Sequence, residues 1–279
     1  MLYTAPAFIR NPEVMMYKVV VSDLDGTLLN SAHQISARTR ATLHNLVQQG
    51  VKFVMATGRH YVDVRHIRDT LGLDIYLITS NGAVVHDKQD QLVFNQTIAA
   101  DIARELVTLE RDSDIHLNVY YGEEWLVEAE MPWLLQFHHE SGFSYRKVDL
   151  ASHPLDRVNK VFYIGEHEKL VEIEQGLKAR YGQLLHVTFS LPDCLEVMHG
   201  EVNKGSAVKA VLEQNGLNLE QAIAFGDGMN DFEMLSMVGH GVVMGNAHDR
   251  LLNALPHHQR TLTSDEDGVA HYLERCFAR

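Results

Sequence analysis

The sequence predicts an α/β protein with a doubly wound parallel sheet, and three observations point to it. Short β-branched runs alternate with amphipathic helical segments in the first and last parts of the chain, as in a parallel sheet covered by helices on both faces. Polar clusters follow the predicted strands at their carboxyl ends, where such sheets bind ligands. The middle of the chain breaks this alternation, which indicates a second domain inserted into the first.

The first part of the chain predicts strand, helix, strand, helix and strand. The run KVVVS at 18–22 is typical of a strand buried on both faces. The first helix begins after Ser36, a good N-cap residue, and ends at Gly50. The other elements before residue 84 are strands at 51–56 and 75–79 and a helix at 62–71. Together they predict a Rossmann-like core.

The order of elements changes between residues 84 and 198. In chain order the sequence predicts a hairpin at 85–94, a helix at 100–111, strands at 118–121 and 125–129, a helix at 132–139, a strand at 160–164, a helix at 169–181, and strands at 186–190 and 194–198. This mixed order is typical of an α+β domain. We therefore predict a core formed by residues 1–83 and 199–279, with residues 84–198 inserted.

The alternation of strand and helix resumes near residue 199. The predicted elements are a helix at 204–214, a strand at 222–225, a short helix at 232–237, a strand at 241–244, and helices at 248–255 and 269–277. Both strands lead into glycine-containing polar segments, as the strands of the first part do. This return to the first pattern completes the predicted core.

The charge of the chain limits its partners. Its 279 residues carry a formal net charge of −13, and residues 84–198 hold 20 acidic against 10 basic groups. A nucleic-acid backbone or an anionic membrane surface calls for a cationic face, so we expect neither as a partner. A small anionic substrate remains compatible, because a site can be locally positive inside an acidic protein. An acidic insertion would disfavour bulky polyanions.

Cysteine usage and hydropathy bear on location. Two cysteines, Cys194 and Cys276, cannot form a disulfide framework, and no apolar run reaches the roughly 18 residues of a membrane span. Charged residues and a proline interrupt the stretch before Met15, which lacks the apolar segment of a secretory signal. We predict a cytoplasmic protein whose first 15 residues form an irregular extension, with Met15 or Met16 as an alternative start.

Two aspartates one residue apart, Asp23 and Asp25, follow the first predicted strand. In an extended chain both carboxylates project to one side of the sheet. Such a pair can hold a divalent cation, or one member can stay protonated as an acid. A turn with two solvated acids explains the same DxDG pattern. The pair alone does not decide between these interpretations.

Similar ambiguity holds for the other polar clusters. Asp227 and Asp231 follow a later strand, Thr57 can cap a helix or bind a phosphate, and a helix-start lysine faces an unfavourable dipole unless an anion lies nearby. Their combination is far more specific than any one of them. Metal-binding carboxylates, a nucleophile, an acid and a cation at one edge of a sheet are what phosphoryl transfer requires.

These segments resemble the haloacid dehalogenase superfamily of phosphatases. The matching motifs, in the order of that family, are DLDGT (23–27), ATGR (56–59), SNGA (80–83), NKGSAV (203–208) and GDGMND (226–231). They are most similar to the Cof-type branch, and within it to bacterial pyridoxal-phosphate and sugar phosphatases. In that branch the insertion is a cap domain that chooses the leaving group. The resemblance covers nearly the whole chain after Tyr17.

The resemblance implies a role for each matching residue. Asp23 attacks phosphorus to give an aspartyl-phosphate, and Asp25 protonates the leaving oxygen and then activates water. Mg²⁺ binds Asp23, the backbone carbonyl of Asp25, and Asp227, an all-oxygen set that suits it better than Zn²⁺. Asp231 supports Lys204 or a metal-bound water. The groups expected to bind the phosphoryl oxygens are the Leu24 N–H, Thr57, the Gly58 N–H, Lys204 and Asn230, of which Thr57 and Lys204 also count as catalytic.

Some other side chains have two interpretations. Arg59 and Asn81 lie near the catalytic side and either contact substrate or hold the cap. The aromatic side chains at 120, 121 and 125 line a substrate pocket or simply pack in strands. The run His138-His139-Glu140 offers metal ligands, but neighbours on a helix diverge, so we expect a solvated face.

Two alternatives to a phosphatase stay open on the sequence. A phosphomutase would transfer phosphate between positions of a sugar, and a regulator would bind a phosphorylated metabolite without turnover. A dinucleotide-binding oxidoreductase fits poorly, because the first strand leads into DLDGT rather than into a glycine fingerprint.

Overall fold

A computed structural model describes residues 17–278. The extension predicted at 1–15 lies outside them. The described residues form two β-sheets, each with its own helices and its own apolar core. The predicted α/β class with an inserted α+β unit is confirmed.

The strands are numbered in chain order. They are β1 (Val19–Ser22), β2 (Lys52–Ala56), β3 (Tyr76–Thr79), β4 (Val84–His86), β5 (Leu92–Asn95), β6 (His116–Tyr121), β7 (Glu124–Val127), β8 (Tyr145–Lys147), β9 (Val158–Ile164), β10 (Leu185–Leu191), β11 (Cys194–His199), β12 (Ala222–Gly226), β13 (His240–Val243) and β14 (Gln259–Arg260). The α-helices are α1 (Ala37–Gln48), α2 (Tyr61–Leu71), α3 (Ala100–Val107), α4 (His167–Tyr181), α5 (Lys204–Gln214), α6 (Phe232–Met237), α7 (Asp249–Ala254) and α8 (Gly268–Cys276).

The larger sheet forms the centre of the core domain. Its strand order is β14-β13-β12-β1-β2-β3-β4-β5, and the six strands from β14 to β3 are parallel. Helices α1, α2 and α8 pack on one face, and α5, α6 and α7 pack on the other. Because β1 is covered on both faces, all four of its residues are buried, as its run of valines predicts.

Local sequence signals set the ends of the helices that approach the site. Ser36 accepts a hydrogen bond from the Thr39 N–H at the start of α1, as predicted from its N-cap position. Asn203 and Ser206 form a reciprocal capping box that starts α5 at Lys204. The capping box therefore places the Lys204 side chain in the first turn of a helix, beside the carboxyl edge of the sheet.

The smaller sheet belongs to the insertion. Its order is β10-β11-β9-β6-β7-β8, antiparallel except for the β7–β8 pair. Helices α3 and α4 cover one face. The other face carries an aromatic cluster that includes Tyr120, Trp125 and Phe162, and Val62 of α2 packs against this cluster. The insertion, which we call the cap, thus rests directly on the core.

The structure corrects the sequence predictions at three places. The hairpin β4–β5 pairs with β3 and extends the larger sheet, although the sequence predicts it as the start of the insertion. We propose that the cap begins after β5, near residue 96. The predicted helix at 132–139 is a 3-10 helix, Pro132–His138. The short strands β8 and β14 were not predicted, because two or three residues are too few to show a period.

No helix within residues 17–278 is both long and apolar enough to span a membrane. The cytoplasmic location stays a prediction.

Candidate active site

The strand register brings the predicted motifs to one edge of the larger sheet. Ser22, the last residue of β1, lies opposite Phe225 of β12 on one side and Met55 of β2 on the other. The residues that follow these strand ends therefore share one edge. DLDGT lies in the middle, with GDGMND and ATGR beside it.

Lys204 joins two of the aspartates. Its Nζ donates hydrogen bonds to Asp23 Oδ1 and Asp231 Oδ1, both at 2.7 Å. The lysine is 0% exposed, Asp231 0% and Asp23 6%, so water screens these charges very little. One buried cation therefore holds two carboxylates from two different strand ends.

Hydrogen bonds to Asp231 and Asp227 fix the GDGMND segment. Asp231 Oδ2 accepts hydrogen bonds from the backbone N–H groups of Asp227 and Gly228, at 2.9 and 3.0 Å. Asp227 Oδ1 accepts one from Thr27 Oγ1 at 2.8 Å. Gly26, at φ +67°, lets the DLDGT turn lie against Asp227, because a Cβ there would come within 2.4 Å of Asp227 Oδ2. The two motifs interlock at side-chain level.

Burial makes this cluster electrostatically unusual. Desolvation and the nearby Asp231 raise the pKa of Asp23, against the opposing pull of Lys204. Burial and Asp231 also raise the pKa of Asp227, to about 7. Burial by itself lowers a lysine pKa, but Asp23 and Asp231 together raise the pKa of Lys204. Three carboxylates share one cation here, and a second positive charge would relieve the excess.

The three acids also have the spacing of a cation site. Asp23, Asp227 and Asp231 each offer an oxygen within 4.8 Å of the others. Both oxygens of Asp231 already accept hydrogen bonds from protein groups. Asp23 and Asp227 each use Oδ1 in the bonds described above.

Asp25 lies apart from this cluster and is paired differently. Arg59 Nε and Nη2 donate to its two carboxylate oxygens at 2.7 and 2.6 Å, a bidentate pair. The Asp25 side chain is 42% exposed, against 15% for Arg59. Arg59 Nη1 also reaches Asp63 Oδ2 at 3.2 Å, one turn along α2. Arg59 therefore holds Asp25, and Asp63 in turn holds Arg59.

Asp63 connects the Asp25–Arg59 pair to the cap. Ser141 Oγ donates to Asp63 Oδ1 at 2.5 Å, and His138 Nδ1 lies 3.0 Å from the same oxygen. The His138 side chain is 10% exposed and meets the Trp125 ring edge to face. The predicted solvated face at 138–140 is thus wrong for His138, because the cap folds this residue onto α2. It is correct for Glu140, whose side chain is 67% exposed.

A second bridge from cap to core runs through Asn81. Glu196 of β11 accepts a hydrogen bond from Asn81 Nδ2 at 2.5 Å, and Asn81 Oδ1 accepts one from Asn230 Nδ2 at 3.1 Å. Lys160 of β9 donates to Glu196 at 2.7 Å and to the Gly58 carbonyl at 2.5 Å. Arg59 and Asn81, for which contact with substrate or cap was left open, both have partners that connect to the cap.

The sequence-predicted residues therefore fall into two groups. Asp23, Lys204, Asp227 and Asp231 form one buried cluster, and Leu24, Thr57, Gly58 and Asn230 lie at the same sheet edge, whereas Asp25 faces Arg59. Asp63, Lys160 and Glu196 were not singled out from the sequence. The two cap residues carry a weak signal, since each places a charge inside a run that otherwise predicts a buried strand. Asp63 carries none, because an acid in a first helical turn is ordinary.

This fold and site together define an α/β enzyme of the phosphatase class. The profile of the haloacid dehalogenase-like hydrolases matches residues 20–273, and the chain belongs to that family. The resemblance predicted from the five motifs is confirmed. So is the prediction of a phosphoric monoester hydrolase.

Relatives and solved structures agree with this assignment. The chain is 38% identical over 258 residues to a protein named HMP-PP phosphatase from Escherichia fergusonii, covering 92% of this chain and 95% of that one. It is 40% identical over 260 residues to a protein of the same name from Serratia proteamaculans, covering 93% and 95%. The crystal structure of a haloacid dehalogenase-like hydrolase from Bacteroides thetaiotaomicron is similar with a TM-score of 0.78 and 30% identity, covering 94% of this chain and 100% of that one.

Proposed function

We propose that the protein is a Mg²⁺-dependent phosphatase that hydrolyses small phosphomonoesters through a phosphorylated Asp23. The observation that carries this proposal is the buried cluster of Asp23, Lys204, Asp227 and Asp231 at the carboxyl edge of the sheet. It combines a carboxylate nucleophile with a fixed cation and further carboxylates. A site of this composition neutralises and positions a phosphoryl group.

The donor set supports Mg²⁺ as the cofactor. Asp23 and Asp227, with the backbone carbonyl of Asp25, would hold the ion, and all three donors are oxygens, which Mg²⁺ prefers. The raised pKa values of Asp23 and Asp227 mark carboxylates that lack full compensation from protein cations. The ion would supply charge neutralisation at the phosphoryl oxygens. Asp231, already committed to Lys204 and to two backbone N–H groups, supports the lysine rather than the metal.

The remaining residues divide the chemistry between them. Asp23 attacks phosphorus, and the leaving oxygen takes a proton from Asp25; Asp25 then accepts a proton from the water that hydrolyses the aspartyl-phosphate. Lys204, Asn230, Thr57 and the N–H groups of Leu24 and Gly58 bind the phosphoryl oxygens. Arg59 holds both oxygens of Asp25 in this structure, so Asp25 must exchange that pairing for the leaving group.

The substrate is a small phosphorylated metabolite that fits beneath the cap. Sugar phosphates and pyridoxal phosphate follow from the resemblance, and the names of two relatives add HMP-PP. The closed cap excludes water from the site and restricts the size of the leaving group. The excess of acidic residues in the cap disfavours nucleic-acid ends.

Phosphate release is the measurement that tests this proposal. We expect release from an aryl phosphate with Mg²⁺, loss of release in excess EDTA, and recovery on adding Mg²⁺. Unchanged rates in EDTA would refute the metal role. A panel of sugar phosphates, nucleotides, pyridoxal phosphate and HMP-PP then ranks substrates by kcat/KM. Transfer of labelled phosphate to another sugar position, without release to water, would show a phosphomutase instead.

A further inference from the structure

The cap carries a buried ion pair on the face that covers the site. Lys160 is 2% exposed and Glu196 4%, with 2.7 Å between Nζ and Oε1. The ammonium lies 4.7 Å and 4.8 Å from the ring centres of Tyr120 and Phe162. Desolvation makes a buried pair of this kind a weak source of stability, since apolar replacements often serve as well. Its contacts across the domain boundary suggest another use.

Those contacts reach the segments expected to bind phosphate. Lys160 donates to the carbonyl of Gly58, whose N–H is one of the proposed phosphate ligands. Glu196 accepts from Asn81, and Asn81 accepts from Asn230, another proposed ligand. Asn81 and Asn230 are 1% and 5% exposed, so water is a minor hydrogen-bond partner for their amide groups. This series of hydrogen bonds runs from the cap to the phosphate end of the site.

The Glu196 carboxylate, at the cap end of this series of hydrogen bonds, decides which group donates and which accepts at each step. An ionised glutamate only accepts hydrogen bonds, so Asn81 must turn its NH₂ group toward Glu196 and its oxygen toward Asn230. Asn230 must then present its own NH₂ group on that side. Its oxygen lies beside Gly228, where a Cβ would come within 2.6 Å of it. An NH₂ group has a second hydrogen, which is left to bind a phosphoryl oxygen.

We propose that Glu196, held by Lys160, is a positioning residue in the cap that fixes the amide orientation of Asn81 and thereby of Asn230. This inference rests on the proposed function, in which Asn230 binds the phosphoryl group. It assigns the cap a part in phosphate binding, besides its contact with the leaving group. The closed cap would complete the phosphate site as well as cover it.

Inorganic phosphate distinguishes the role of the cap in phosphate binding from its contact with the leaving group, because inorganic phosphate has no leaving group. In Glu196→Gln, Lys160 takes the amide oxygen, and the new NH₂ group faces the NH₂ group of Asn81. Asn81 and then Asn230 must turn over, which removes the donor. We expect the inhibition constant of phosphate to rise roughly ten- to a hundredfold, the worth of one hydrogen bond to a charged group. Glu124→Gln, at an exposed cap pair with Arg146, is the control and should change nothing.

A double-mutant cycle shows whether the effect passes through Asn230. In an Asn230→Ala background, Glu196→Gln should weaken phosphate binding no further. Asn81→Ala leaves the ion pair intact but frees the Asn230 amide to rotate, so it should also weaken phosphate binding, and it replaces Glu196→Gln if that variant does not fold. An unchanged inhibition constant, a change only in KM for organic substrates, or additive losses in the cycle would each overturn the inference. If wild type itself released no phosphate, the proposed function would fail instead.

Discussion

Two charged clusters flank the DLDGT turn, and they are held in different ways. The Lys204 cluster lies wholly within the core, is buried, and ends on backbone N–H groups. The Asp25–Arg59 pair is partly exposed, and it depends on Asp63, which in turn bonds to Ser141 of the cap. The difference indicates that the nucleophile Asp23 and its partner Lys204 are positioned by the core alone. The acid–base end responds to where the cap is.

The physical environment explains the contrast. In the buried cluster, each charge interacts at low effective dielectric, so geometry is fixed by strong pairing and costs little to keep during reaction. At Asp25, solvent screens the pair with Arg59, which makes exchange for a leaving group feasible. Substitutions in the two clusters should therefore differ in size, the core cluster giving the larger losses.

Asp23→Asn should have the largest effect, because it replaces the nucleophile with an amide. We expect loss of turnover by at least about 10⁴-fold. The fold should survive, since the amide oxygen can still accept from Lys204 and a buried, repelled carboxylate is removed. Phosphate release and thermal unfolding measure the two effects separately. Wild-type turnover in this variant would disprove the proposed role of Asp23.

Lys204→Met should come next. Without the ammonium, the carboxylates of Asp23 and Asp231 face each other in the interior with no cation between them. We expect kcat to fall by about 10³-fold and unfolding to become easier by about 3 kcal/mol, the usual cost of breaking a buried pair. Lys209→Met on the same helix is the matched control, because that lysine is exposed and only loosely paired with Glu213. Loss of less than tenfold in kcat would argue that the core cluster is not the phosphoryl site.

The core cluster was largely predictable from the sequence, for a physical reason. Parallel strands bring their carboxyl ends to one edge, so short motifs after strands can be placed together without knowing distances. Local patterns place the helix start at Lys204 near a strand end, and the family resemblance implied that Asp231 supports Lys204 or a metal-bound water. The interlock of Gly26 with Asp227 was not visible, since it depends on side-chain approach.

The cap contacts could not be predicted in the same way. Ser141 meets Asp63 across 78 positions of sequence, and Glu196 meets Asn81 across 115. No local periodicity encodes how two separately folded units dock. The sequence assigned the β4–β5 hairpin to the insertion for a related reason, because a hairpin pattern does not say which sheet it joins.

Asp63→Asn tests the cap-dependent end of the site. An amide cannot accept from Arg59, Ser141 and His138 as a carboxylate does, so Arg59 should lose its fixed position and orient Asp25 less well for proton transfer. We expect kcat to fall about tenfold, well below the loss in the core cluster, with the inhibition constant of phosphate unchanged. Asp69→Asn, exposed on the same helix, is the control. Weaker phosphate binding in Asp63→Asn would erase the distinction between the two ends.

The smallest effect concerns pH and the contact between His60 and the cap. Its Nε2 lies 2.8 Å from the Gly122 carbonyl of the cap and must donate there, while Nδ1 accepts from the Val62 N–H at 3.1 Å. Both ring nitrogens are thus committed to the neutral form. Burial above all lowers the pKa of His60 to about 4. The hydrogen bond to the Gly122 carbonyl and the charge of Asp63 oppose this shift, and Lys160 and His86 add to it.

The sign of the pH effect follows from these pKa values. An unfolded histidine titrates near pH 6.5. Between about pH 6.5 and 4 the unfolded chain therefore binds a proton at residue 60, whereas the folded protein keeps His60 neutral. The stability due to neutral His60 is full above pH 6.5 and is lost as the pH falls toward 4. Between pH 6.5 and 5.5 this amounts to about 1 kcal/mol. In His60→Asn, whose side chain can still cap α2, thermal unfolding should lose that part of its pH dependence. Parallel pH profiles for the two proteins would show that the neutral ring does not contribute to holding the cap.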